Sequence, residues 1–137
     1  MDTTQTMKYI PIIAGALLGL MFIAFSLMFF LNLMPEQPAP PAGSYPALFM
    51  GAFVPSGYLA FVKAFELLGG VLVAIPATRN LGLLVLGPII INILAFHALI
   101  MKGEGMMNPI LALLVALPLF LLFVERKAFL GLVRRAA

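Results

Sequence analysis

After Lys8 the chain runs from Tyr9 to Leu33 without a charged residue. At about 1.5 Å per residue, these roughly 25 residues make a helix some 37 Å long, more than the ~30 Å hydrocarbon core of a bilayer. The run therefore reads as a spanning helix with some tilt. A secretory leader is the competing reading. Its apolar core is usually about half this length, and no small-residue cleavage pattern follows directly here. The rest of the chain agrees with a membrane setting: 64% of residues are hydrophobic, 9% are charged, and the mean hydropathy is +1.15. A soluble core with a wetted surface does not have that composition.

Three further apolar runs follow. From Met34 the composition changes, with Pro35, Pro38, Pro40, Pro41 and Pro46 all falling before Ala47. Proline lacks the amide proton and restricts its predecessor, so 34–57 is expected to be one long loop. The apolar stretch 47–53 inside it is too short to span. It is expected on the end of the bundle or in the interface, with a lid over the polar residues described below as the sharper reading. The second span is 58–75, closed by Pro76. The turn Ala77-Thr78-Arg79-Asn80 leads to the third span, 81–101, and Lys102-Gly103-Glu104-Gly105 is the next turn. Asn108-Pro109 has the form of a helix N-cap followed by proline in the first turn, opening a fourth span that covers about 107–124. Phe129 to Val133, with Arg134 and Arg135, reads as a basic amphipathic tail for an anionic membrane surface. The expected fold is thus an all-α integral membrane protein, one domain over 1–137, built as a four-transmembrane-helix bundle.

Four spans put both termini on one side. Lys8, Arg79, Arg126, Lys127, Arg134 and Arg135 then fall on that side, against Lys102 on the other. Basic residues are retained on the cytoplasmic face, which places both termini and the Arg79 turn there and the proline-rich loop outside. The same retention accounts for the net charge of +3 without invoking nucleic acid.

Two charges do not fit a loop. Lys63 and Glu66 stand three residues apart inside the second span, where each costs roughly 2.5 to 3.5 kcal/mol near the bilayer centre unless paired, hydrated or met by a polar helix. Counted from the outer ends of the second and third spans, Glu66 and Asn92 share one depth, and Lys63 and His97 a shallower one. Asn92 and His97 are about 140° apart around an ideal helix, so they do not both point at Glu66. Each has a purely structural reading: Lys63 reaching the headgroups, Asn92 satisfying helix backbone near Pro88, whose ring leaves the Leu84 carbonyl unpaired, and His97 as a neutral hydrogen-bonded ring. Glu66 is short and deep, and marks a polar interior in either case.

Other features constrain the chemistry. There is no cysteine, which excludes thiol exchange and thiolate metal sites on this chain. One histidine, one aspartate and four glutamates make a metal site of adequate ligand count improbable. Gly15 and Gly19 form a small-xxx-small pattern that fits either packing within the chain or a homodimer seam, and Gly69 and Gly70 offer a smooth surface to a neighbouring helix. Ser26 is expected to bond back to its own helix backbone. The methionines are expected as core filler.

Lys63-Ala-Phe-Glu66-Leu-Leu-Gly69-Gly70, the Pro76-Ala-Thr-Arg79 exit, and Pro88-Ile-Ile-Ile-Asn92-Ile-Leu-Ala-Phe96-His97 together resemble the DoxX family of small four-helix bacterial membrane proteins. The resemblance extends over all four spans in order and spacing. It implies a bundle in the bacterial inner membrane, with Glu66, Asn92 and His97 among the family's polar positions. It also implies association with membrane oxidoreductase systems, quinone-reducing thiosulfate oxidation among them, or with thiol redox complexes as a membrane partner. Related eukaryotic proteins look like assembly chaperones.

The expected function is an accessory membrane subunit, not catalytic by itself. Its outer-half pocket takes a quinone-like or lipid ligand, and a membrane or periplasmic partner performs the redox chemistry. Glu66 is then the proton acceptor or relay, Lys63 its counter-charge or the contact for an anionic headgroup, and Asn92 or His97 the donor to a ligand carbonyl. A non-enzymatic assembly protein with a structural Lys63–Glu66 pair is the second reading, and a small transporter the third.

Overall fold

The computed structural model describes residues 3–134. Arg135, counted above in the basic tail, lies outside them. Every regular element among the described residues is helical.

Helix α1, Thr3–Phe30, begins before the apolar run and takes in the polar segment ahead of it. It stops three residues short of Leu33 because Asn32 turns left-handed, at φ 57°. The Asn32 amide then donates to the Phe29 carbonyl (3.2 Å) and the Leu33 amide to that of Met28 (2.8 Å), which satisfies the last carbonyls of the helix. The long loop is not irregular throughout. Helix α2, Tyr45–Phe53, forms after Ser44, whose Oγ accepts from the Ala47 amide at 3.4 Å and donates to the Pro41 carbonyl at 2.6 Å. Pro46 falls in its first turn, where no amide proton is missed.

Helix α3, Tyr58–Ala74, is followed by a short 3-10 turn, Pro76–Thr78, and by helix α4, Arg79–Ala95. Thr78 Oγ1 donates to the Leu72 carbonyl at 2.7 Å and ties that turn to the end of α3. The sequence places Arg79 in the turn between the second and third spans. It instead opens α4 and is 7% exposed. A π-helical segment, Phe96–Ile100, continues α4. Helix α5, Pro109–Val124, starts where Asn108 Oδ1 accepts the Ile110 amide at 2.9 Å. Met106 and Met107 thus precede the helix, and Met107 is 94% exposed. Helix α6, Arg126–Val133, closes the described chain.

Helix α1 packs along α3, α3 along α4, and α5 against α1 with a lighter contact to α4. Ala14, Leu18 and Phe22 of α1, Val73 of α3, Leu83, Leu86 and Ile90 of α4, and Leu114 and Leu121 of α5 make one core. Glycines bring the helices this close. A Cβ on Gly19 would stand 2.5 Å from the Gly70 carbonyl oxygen, and one on Gly15 2.9 Å from that of Val73. The Gly15–Gly19 surface is therefore filled by α3 of the same chain. Gly69 faces the other way, where its Cβ would meet Leu86 of α4 at 2.6 Å. Ser26 lies on the same buried stripe of α1 as Gly19 and Phe22 and is 0% exposed. Contrary to expectation its Oγ makes no hydrogen bond, to its own helix or otherwise.

Thr3–Phe30 and the continuous Pro76–Ile100 are each long and apolar enough to cross a bilayer. Helices α2 and α3, bent by 78°, and α5 and α6, bent by 77°, reach that length only as pairs, so the chain has two to four candidate spans. Large apolar side chains such as Leu20, Phe61, Leu84, Ile91, Leu119 and Phe123 are exposed on every long helix. Water does not tolerate apolar surface of that extent and lipid does, so this is a helical membrane protein.

Candidate functional site

Lys63 and Glu66 lie one turn apart on α3 and meet, with Nζ 2.9 Å from Oε2. The Glu66 side chain is 6% exposed and that of Lys63 19%. Nζ approaches outside hydrogen-bonding directions, so Oε2 is enclosed with a counter-charge but no directional donor.

On α4, Asn92 donates Nδ2 to the Pro88 carbonyl at 2.9 Å. Its backbone partner is thus Pro88 itself and not the Leu84 carbonyl that the proline ring leaves free. His97 sits in the π-helical segment with Nδ1 2.9 Å from the Ile93 carbonyl. A carbonyl only accepts, so Nδ1 carries a proton, which makes Nε2 the acceptor whenever the ring holds a single proton. The π segment also changes where the backbone bonds go: the Met101 amide reaches Phe96 (2.9 Å), and the Gly103 amide reaches the His97 carbonyl (2.7 Å).

These four residues line one cavity of about 920 Å³. Lys63 and Glu66 form one wall with Tyr58, Leu59 and Val62, while Asn92 and His97 belong to the other with Ile89, Ile93 and Phe96. Phe49 and Phe53 of α2 cover it. The Phe49 ring is 5.1 Å from Phe96 and 4.6 Å from Phe53, and Phe53 is 4.8 Å from Tyr58. None of the lining residues comes from α1 or α5. The cavity is therefore a cleft on the flank of the α3–α4 pair, facing away from the rest of the bundle. Their angular separation forbids only that both point at Glu66; in the structure neither Asn92 nor His97 hydrogen-bonds it, and the width of the cleft brings all four to one space.

The arrangement can hold an amphiphile. Most of the wall is aliphatic or aromatic. Its polar residues are few and dissimilar: Lys63, Glu66, Asn92, His97 and the hydroxyl-bearing Ser56 and Tyr58. Pockets for small organic ligands have this make-up. Among the described residues no group of three or more His, Asp or Glu side chains comes together in a form that holds a metal ion.

A second polar cluster is not evident from sequence. Arg79 Nη1 lies 3.4 Å from Glu125 Oε1, and Asn80 Nδ2 lies 3.5 Å from Oε2. Arg79 Nε stays buried without a partner, close to Gly15 of α1. The cluster joins three helices at the end of the bundle opposite the cleft. Its one sequence signal is an acid, Glu125, standing beside two cations where a spanning helix ends. The π-helical segment has no signal in residue types. No family model, curated protein or solved structure matches the chain.

Proposed function

We propose that the chain is a four-span protein of a bacterial inner membrane with both termini cytoplasmic. It acts as an accessory subunit of a membrane oxidoreductase system and holds a quinone-like or lipid ligand in the α3–α4 cleft. The observation that carries this reading is the lateral position of the cleft: Lys63, Glu66, Asn92 and His97 line it and no residue of α1 or α5 does. A ligand dissolved in the bilayer enters such a cleft sideways, without crossing the bundle. The distribution of basic residues supports the topology, and the resemblance to the DoxX family supports the redox setting and a partner protein that carries the electron chemistry. In this role Glu66 receives a proton or a donor from the ligand head, Lys63 balances its charge, and His97 Nε2 or Asn92 Oδ1 meets the polar head from the opposite wall. Helix α2 is the cover. Mass spectrometry of quinones and lipids co-purifying with wild type and with Glu66→Gln tests it. Loss of one bound species in the variant supports the reading, and unchanged occupancy with unchanged partner activity sinks it.

The closed Lys63–Glu66 pair, 2.9 Å apart on one helix, also suits a second reading, a non-enzymatic assembly protein in which the pair is structural. Replacing both residues with apolar ones then leaves partner recovery intact, whereas the first reading requires ligand loss.

A further inference from the structure

Helix α6 does not continue α5. The chain turns at Glu125, and the two axes differ by 77°. If α5 crosses the bilayer, as the proposed topology has it, α6 lies close to the membrane plane. Its residues sort largely by face, with Arg126, seven before Val133, the one cation on the apolar side. Phe129, Leu132 and Val133, spaced three and four apart, share one side, while Lys127 and Arg134, seven apart, share another. Phe129 packs against the core, but the apolar side continues outward without protein cover: Leu132 is 65% exposed and Val133 83%.

The charges of this region divide unequally. Glu125 is turned inward to Arg79 and Asn80, so it does not neutralise the helix. Arg126 is also engaged, donating to the Phe123 carbonyl at 2.8 Å with its guanidinium 4.5 Å over the Phe123 ring. Lys127 and Arg134 remain exposed on one face, with no acid among the residues of the helix. Lys8, two turns before the Gly15 that packs against Arg79, adds a cation at the same end.

We propose that α6 is an in-plane interfacial helix that binds the anionic phospholipid headgroups of the leaflet at this end, with Lys127 and Arg134 facing phosphate and Leu132 and Val133 in the acyl boundary. The inference rests on the membrane-spanning part of the reading above and is independent of what fills the cleft. Apolar burial and charge attraction are the two terms that hold such helices at a bilayer.

The test is hydrogen exchange of the full-length protein in nanodiscs of phosphatidylcholine, with and without phosphatidylglycerol. Protection of the α6 amides is expected to rise with phosphatidylglycerol and to fall again at high salt. It is expected to drop about fivefold for Lys127→Gln or Arg134→Gln alone, and about thirtyfold for both. Protection of α3 serves as the folding control. Equal α6 protection in the two lipids, with α1, α3, α4 and α5 fully protected, overturns this proposal and leaves the cleft untouched. Exchange of the long helices themselves in both lipids would instead strike the membrane-spanning reading. Unprotected α6 in both lipids also overturns the proposal.

Discussion

Glu66 shares its α3 stripe with Gly70, and one turn beyond the Gly70–Phe22 contact on the facing helix stands Ser26, buried and without a hydrogen-bond partner. Two enclosed oxygens, Ser26 Oγ on α1 and Glu66 Oε2 on α3, are thus each buried without a directional hydrogen bond.

Breaking the Lys63–Glu66 pair one residue at a time should be worse than removing it. Lys63→Met leaves the carboxylate enclosed without its counter-charge and is expected to destabilise by about 2–3 kcal/mol. That is below the 3–5 kcal/mol typical of fully buried pairs, because Lys63 keeps partial exposure. Lys63→Met with Glu66→Leu should recover most of that loss in thermal unfolding in detergent, yet should not recover ligand.

Glycine substitutions should separate close helix packing from open surface. Gly19→Leu drives a side chain into the Gly70 carbonyl and Ala74, backbone and Cβ atoms that cannot rotate away. A loss of about 3 kcal/mol or more, at or above the usual overpacking range, is expected. Gly87→Ala meets nothing within 4 Å and should be neutral or slightly stabilising, by up to about 1 kcal/mol. Melting temperatures of the two variants check the contrast.

His97→Phe keeps an aromatic ring against Phe96 but deletes the Nε2 acceptor. The fold should survive, while retention of a ligand whose head donates to Nε2 falls by about two- to tenfold, the range of one hydrogen bond. Nitrogen-15 spectra of the wild type should show the proton on Nδ1, as the Ile93 carbonyl requires.

Arg79→Gln should loosen both ends that the cluster joins. Glu125 loses its buried partner, and α6 loses the anchor that turns it from α5. The expected sign is destabilisation of about 2–4 kcal/mol with increased exchange across 125–133, partly recovered by adding Glu125→Gln.

Much of the architecture follows from residue types that act locally. Pro76 and Asn108-Pro109 end and begin helices where their chemistry dictates, and the apolar run after Lys8 is a helix because lipid leaves its backbone no other partner. What was not legible depends on partners distant in sequence. Arg79 reads as a loop cation until Glu125, far along the chain, is seen beside it. Ser26 reads as a helix back-bonder until α3 closes over it. Asn92 and His97, though far apart around an ideal helix, come to one space because the cleft is wide and α2 spans it. The proline-rich loop conceals α2 because five prolines outweigh the short Ser44-Tyr-Pro start signal.

The central claim is that a membrane-dissolved amphiphile occupies the α3–α4 flank. Photoaffinity labelling in native membranes, with one photoactivatable quinone and one photoactivatable phospholipid and peptide mapping of the adducts, addresses it most directly. Adducts from one probe concentrated in 58–66 and 89–100, displaced by the unlabelled compound and lost in Glu66→Gln, are predicted. Labelling spread evenly over the exposed faces of α1 and α5, or unaffected by competitor, would contradict it.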